Sequence, residues 1–239
     1  MSSAAEAAAR TRPDVVIFDV VETLASLDPV RDRLNELGQS AQLLPRWFTR
    51  LLRDAIALTV AGGYAGFADV AASALRAETG TVLTDEHIAY AVQGFTVLTP
   101  QPDAVAAVEA AAAAGLRIFT LSNGAAASTR AFLDRAGVAD LVEQVLSIDQ
   151  VQAWKPAPAP YEFAVAQAGI PAAQIALVAV HSWDIHGAHA AGLTTGWCPR
   201  LEGRPTQAFA PADIVGTDLV DVVEQLTTLP RRSPNSSSC

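Results

Sequence analysis

Cysteine is scarce, and clustered positive charge is absent. The 239 residues hold two cysteines, Cys198 on an expected strand end and Cys239 at the terminus. That placement makes neither a disulfide framework nor a thiolate metal site, and a reducing, cytoplasmic setting is expected. No run of Lys and Arg offsets the formal net charge of −9, which argues against the phosphate-neutralising surface of a nucleic-acid binder. No apolar run reaches the roughly 18 residues of a membrane span. The alanine-rich start, MSSAAEAAARTRPD, has no apolar stretch of signal-peptide length, so residues 1–12 are expected as a frayed leader and 231–239 as a flexible tail. Internal repeats are lacking too. Core material is not: 51% of the residues are hydrophobic, in a length suited to one α/β domain with a small insertion.

The organising stretch is VVIFDVVETL, residues 15 to 24. Four apolar, largely β-branched residues run straight into Asp19, the pattern of a buried strand that delivers an acid to a sheet edge. Residues 34 to 93 then read helically, with an apolar face through Trp47, Leu51, Leu52, Ala55 and Leu58 that stops at Gly62 and Gly63. Further helices are expected at 69–77 and 85–93, and no convincing strand interrupts the region. Pro100 and Pro102 mark the return to an alternating pattern. Helices are expected at 103–114, 126–136, 159–168 and 218–229, with a short one before Gly192; strands are expected at 117–122, 143–148, 175–180, 194–198 and 213–216. The series reads as parallel, right-handed βαβ units with a helical insertion after the first strand. The core is assigned to 13–28 and 97–230, and the insertion to 29–96.

Ligands of such sheets bind at the carboxyl ends of the strands, where LSNG (121–124), WKPAPAPY (154–161) and HSWD (181–184) can converge on Asp19. A carboxylate nucleophile must stay ionised while partly stripped of water, which calls for an adjacent cation. Lys155, in a loop stiffened by Pro156, Pro158 and Pro160, is the candidate. Ser122 and Asn123 offer donors to an anion, and Gly124 allows close backbone approach. Thr23 lies within reach of the Asp19 carboxylate. His181, with an ordinary imidazole pKa near 6.5, is suited to take a proton from water, although a packing role is an equal alternative. His186 and His189 sit three apart on an expected helix, but thiolates are missing and no metal is assigned.

Together these four ordered motifs resemble the haloacid dehalogenase superfamily of hydrolases, and within it the type II L-2-haloacid dehalogenases. The resemblance spans roughly residues 13 to 200. It implies a Rossmann-like parallel-sheet core with a helical cap closing over an aspartate nucleophile, Asp19. It implies that Asp184 orients Lys155 and that Tyr161 belongs to the site. It places Val20, Val21, Trp47, Phe67 and Arg50 against a small anionic substrate, a 2-halo acid that would yield a 2-hydroxy acid without a cofactor. Neither nucleic acid nor membrane is an expected partner, and a homodimer is left open.

Departures from the family pattern carry information. The phosphatases of the superfamily have a second aspartate where this chain has Val21, and valine can neither give nor take a proton. Phe48 stands where an arginine usually cradles the halide, so Arg50 or Arg46 would have to substitute. Glu22 replaces a common glycine, His181 a common asparagine and Ala179 a serine. A Mg²⁺-dependent phosphohydrolase and a non-catalytic binding protein on the same frame are the alternatives.

Overall fold

The structure, a computed structural model, describes residues 10–232. Its centre is a parallel sheet whose spatial order is β5 (Gln144–Ser147), β4 (Arg117–Ser122), β1 (Val15–Phe18), β6 (Ile175–Ala179), β7 (Thr194–Trp197) and β8 (Ile214–Val215). β1 lies between β4 and β6, with Val15 opposite Arg117 on one side and Ile175 on the other. All four of its residues are fully buried, as both faces of the sheet are covered. Val16 and Phe18 pack towards α5 (Ala104–Ala113), α6 (Ala126–Ala136) and α9 (Leu219–Thr228). Val15 and Ile17 pack towards α7 (Pro158–Ala168) and α8 (Ser182–Ala190), so the period-two alternation assigns each side chain to one of two cores.

From β1 the chain builds outward through β4 to β5, then crosses to the other side of β1 to lay down β6, β7 and β8. This reversal opens a crevice at the carboxyl ends of β1, β4 and β6. Asp19 sits there.

The helical insertion comprises α1 (Asp28–Glu36), α2 (Leu43–Val60), α3 (Phe67–Thr79) and α4 (Asp85–Gln93). It is bracketed by a feature the sequence reading did not contain, a two-stranded antiparallel ribbon in which Ala25 and Ser26 (β2) pair with Pro100 and Thr99 (β3). Two residues per strand leave no periodic signal to read. The ribbon joins both stems of the insertion next to the Asp19 loop. Aromatic rings carry the contact onward: Phe67 stacks on Trp154 at 5.8 Å and meets Phe95 edge-on at 4.8 Å.

The assigned ends fall partly outside the described residues, namely 1–9 and 233–239, with Cys239 among them. The described stubs are tied to the base of the sheet. Arg12 donates its N–H to the Pro230 carbonyl at 2.9 Å, Arg10 meets Asp213 at 2.9 Å, and Arg232 pairs with Asp14. Among the described residues no helix is long and apolar enough to cross a membrane.

Candidate active site

β1 ends at Phe18 and hands Asp19 to the crevice, where its N–H donates to the Val178 carbonyl at 3.0 Å. The carboxylate is almost wholly buried. Thr23 donates its hydroxyl to Asp19 Oδ2 at 2.6 Å and accepts the Val180 N–H at 3.2 Å, joining the loop after β1 to the end of β6.

Lys155 is the single lysine of the chain. It is completely buried, and its ammonium donates to Asp19 Oδ1 at 2.8 Å, Asp184 Oδ2 at 2.6 Å and the Leu121 carbonyl at 3.0 Å. All three N–H donors are therefore used. Every other fixed cation is arginine; a compact point charge stands where three acceptors converge at the strand ends, a geometry that a planar guanidinium fork does not match. The second oxygen of Asp184 accepts the Tyr161 hydroxyl at 2.5 Å.

Burial alone would raise the pKa of Asp19, but the ammonium of Lys155 and then the ring of His181 outweigh it and hold the carboxyl well below its usual range. Burial pushes Asp184 the other way, and nearby Asp19 adds to that against the pull of Lys155. Burial works against the Lys155 charge, yet its two carboxylate partners raise it above the ordinary value. The resting pair is thus an ionised Asp19 and a protonated Lys155.

The donors for an anion lie beside it. Asn123 commits its carbonyl oxygen to the Lys155 backbone N–H at 3.1 Å, which turns its amide N–H₂ elsewhere. Ser122 accepts from the Gly124 N–H at 2.9 Å and keeps its own proton to give. Ser122 also borders a mainly apolar cavity of about 210 Å³, lined by Val20, Val21, Phe67, Phe95 and Leu98 among others.

Two expected substrate contacts are not brought in. Trp47 is fully buried inside the insertion, donating its indole N–H to the Ala71 carbonyl at 2.8 Å; it does not line the cavity but packs on Phe95, which does, 5.6 Å away between ring centres. Arg50 turns outward to Glu78 at 3.0 Å and Asp54 at 3.5 Å, and Arg46 also meets Glu78, at 2.7 Å. The cause is helical geometry: two residues along α2 rotate a side chain through about 200°, so Arg50 cannot share the face of Phe48. Phe48 instead lines a second groove of about 610 Å³ together with Leu44, Arg31, Glu22, His181 and Trp183.

His181 stands beside Asp19, within reach of the reacting carboxyl. Its Nε2 lies 2.9 Å from Glu22 Oε2, and its Nδ1 lies 3.4 Å from Asp19 Oδ2 without a well-formed hydrogen bond. Burial would depress the imidazole, but the Asp19 carboxylate beside it and the hydrogen bond with Glu22 carry it up to about 10. While Asp19 is ionised the two carboxylates therefore favour the protonated ring over the neutral imidazole with an ordinary pKa that the sequence suggested.

Glu22 was missed as a site residue and read only as a departure from the pattern. Its φ of +66° explains the glycine common at this position. An L-residue in left-handed conformation costs roughly 1–2 kcal/mol. The signal that it matters was the joint change of Glu22 and His181, which only the fold shows to be neighbours. Trp154 was a second omission: its indole N–H reaches the Ala65 carbonyl at 3.1 Å and its backbone N–H the Thr59 hydroxyl at 3.1 Å, tying the lysine loop to the insertion. Among the described residues no group of three or more His, Cys, Asp or Glu side chains is placed to hold a metal ion.

Gly187 of α8 supports the site from behind. A Cβ there would meet the Tyr161 Oη at 2.5 Å and the Pro156 Cβ at 2.8 Å. Gly187→Ala should push Tyr161 off Asp184 and destabilise the fold by about 1–3 kcal/mol, the usual cost of overpacking. Thermal unfolding checks this; an unchanged Tm would show that the ring can move freely.

The fold and this constellation define a hydrolase of one family: the chain belongs to the haloacid dehalogenase-like hydrolases, whose family model matches residues 13–192. It is similar to (S)-2-haloacid dehalogenase 1 of Pseudomonas sp. (strain CBS-3), 28% identical over 200 residues that cover 82% of this chain and 88% of that enzyme. It is also similar to the (S)-2-haloacid dehalogenase of Xanthobacter autotrophicus, 29% identical over 207 residues, covering 84% and 80% respectively. The solved L-2-haloacid dehalogenase of Xanthobacter autotrophicus has the same fold, with a TM-score of 0.84 at 24% identity over 90% of this chain and 99% of that one.

Proposed function

We propose that the protein is a 2-haloacid dehalogenase that works through an ester on Asp19. The observation that carries the reading is an ionised, nearly dry carboxylate held by Lys155 and Thr23, whose chain neighbours Val20 and Val21 line an apolar cavity, with Val21 where a phosphatase would keep a proton donor. The similarity to (S)-2-haloacid dehalogenases over most of the chain supports the same choice of substrate.

Asp19 attacks C2 of the substrate in an SN2 step, a C–O bond forms as the carbon–halogen bond breaks, and halide leaves with the bonding pair. Water then attacks the ester carbonyl, freeing the 2-hydroxy acid and restoring the carboxylate. Ser122 and the Asn123 amide hold the substrate carboxylate. Val20, Val21, Phe67 and Phe95 receive its apolar substituent, and Asp184 with Tyr161 fixes Lys155 against Asp19. The insertion α1–α4 acts as a cap that keeps the reacting atoms dry. Trp47 supports Phe95 without meeting substrate.

Halide release from (S)-2-chloropropionate tests the reading, with the (R)-enantiomer as comparison. No step needs a metal, so EDTA should leave the rate within about twofold of its starting value. Loss of activity in EDTA with rescue by Mg²⁺, together with hydrolysis of phosphate esters, would carry the phosphohydrolase reading instead.

A further inference from the structure

We propose that Glu22 and His181 form a relay that is idle while Asp19 is ionised and becomes the water-activating base once Asp19 is esterified. The proposal rests on the ester route above and adds to it the group that takes the proton from water. Asp184 has both oxygens engaged, one by Lys155 and the other by the Tyr161 hydroxyl, whereas Nδ1 of His181 has no hydrogen-bond partner among the described residues.

The geometry is that of a base held from behind. Glu22 Oε2 takes the Nε2–H of His181 at 2.9 Å, which leaves Nδ1 facing Asp19, buried and without a hydrogen-bond partner among the described residues. Nδ1 is 3.4 Å from Asp19 Oδ2, beside the carbonyl carbon at which an ester would be attacked. The Trp183 ring lies 5.1 Å from the imidazole and limits its rotation. Its charged neighbours are Asp19 and Glu22, with Arg31 and Glu202 further along the same groove.

Esterification changes the charge around this ring. The free site holds the imidazolium between two carboxylates. Alkylation turns Asp19 into a neutral ester, so one of the two anions that kept the proton in place is gone. The Nδ1 proton then passes to solvent, and the neutral ring, still donating Nε2–H to Glu22, presents a lone pair. Nδ1 takes a proton as the water oxygen bonds to Cγ of Asp19. It returns that proton to the alkoxide of the 2-hydroxy acid as the Cγ–O ester bond breaks. Asp19 is left as a carboxylic acid, which reprotonates His181 and restores the starting ion pair. One proton is released per halide, and it leaves with alkylation rather than with hydrolysis.

That order is measurable on the unmodified protein. In stopped flow at about pH 8 with a pH indicator, protons should appear at the rate of halide release and ahead of the 2-hydroxy acid. Proton release in step with the 2-hydroxy acid would overturn the relay while leaving the ester route intact. Absence of halide release from any 2-halo acid would instead overturn the reading on which it rests. Glu22→Gln tests the positioning residue. Ester hydrolysis should slow by on the order of 10²-fold, so that intact-protein mass spectrometry finds an adduct, and the pH midpoint of that step should fall because the carboxylate no longer supports the imidazolium. A variant with no adduct and the pH profile of the parent overturns the role of Glu22.

Discussion

Asp19→Asn should abolish halide release, by on the order of 10⁴-fold or more, in a protein that still folds. The amide is nearly isosteric and can keep the Thr23 contact, but its oxygen carries no charge with which to open the carbon–halogen bond. Folding should survive because Lys155 retains Asp184 at 2.6 Å and the Leu121 carbonyl at 3.0 Å. Intact-protein mass spectrometry must exclude deamidation back to Asp, and halide release is then measured directly. In the parent protein the alkylation step should be flat from about pH 5 upward through neutrality, since a carboxyl whose pKa is depressed stays ionised there. The same shift carries a stability consequence of definite sign. With the folded pKa below the unfolded one, the contribution of Asp19 is complete above the unfolded pKa of about 3.9 and is lost as pH falls below it.

Lys155→Ala should be as damaging to activity and more so to the fold. Removing the ammonium leaves the fully buried Asp184 with no cation and Asp19 with His181 alone. Breaking a buried pair in this way costs about 3–5 kcal/mol. In a chain of this size each kcal/mol lowers Tm by about 2–4 °C, so a fall of about 6–20 °C is expected. Without Lys155 nothing offsets the burial that raises Asp184, so the folded state binds the extra proton there and the deficit should shrink as pH is lowered from about 8 to 5. A deficit independent of pH would show that packing, not charge, was lost. Arginine at 155 should not rescue, because its planar fork cannot meet the three acceptors that the ammonium serves.

Much of this was legible in the chain itself. The run VVIF ending in Asp19, the loop at Lys155 and the HSWD segment each follow or flank a strand, and a parallel sheet gathers strand ends whatever lies between them. The helices of the core were readable from their glycine stops, since Gly137 and Gly169 take the left-handed conformation at the ends of α6 and α7. Side-chain direction was harder to read. The family resemblance places Trp47 and Arg50 against substrate, yet one faces the interior of the insertion and the other Glu78, in Arg50's case because it lies two residues along α2 from Phe48. The ribbon of β2 and β3 is too short to leave a pattern. The charge of His181 was beyond reach for a similar reason. Its pKa depends on two carboxylates, one of them 159 residues away in the chain, and an isolated imidazole gives no hint of either. The chain's single lysine was a clue in plain view.

A single turnover in H₂¹⁸O, with the protein in molar excess over (S)-2-chloropropionate, tests the ester on Asp19 most directly. The oxygen joined to C2 comes from Asp19, and water reacts only at the carbonyl carbon. The product of that first turnover should therefore carry ¹⁶O in its new hydroxyl, and the peptide containing Asp19 should gain the heavy isotope. Label in the hydroxyl of the first-turnover product, with an unlabelled Asp19, would mean that water attacks the substrate itself and would contradict the account.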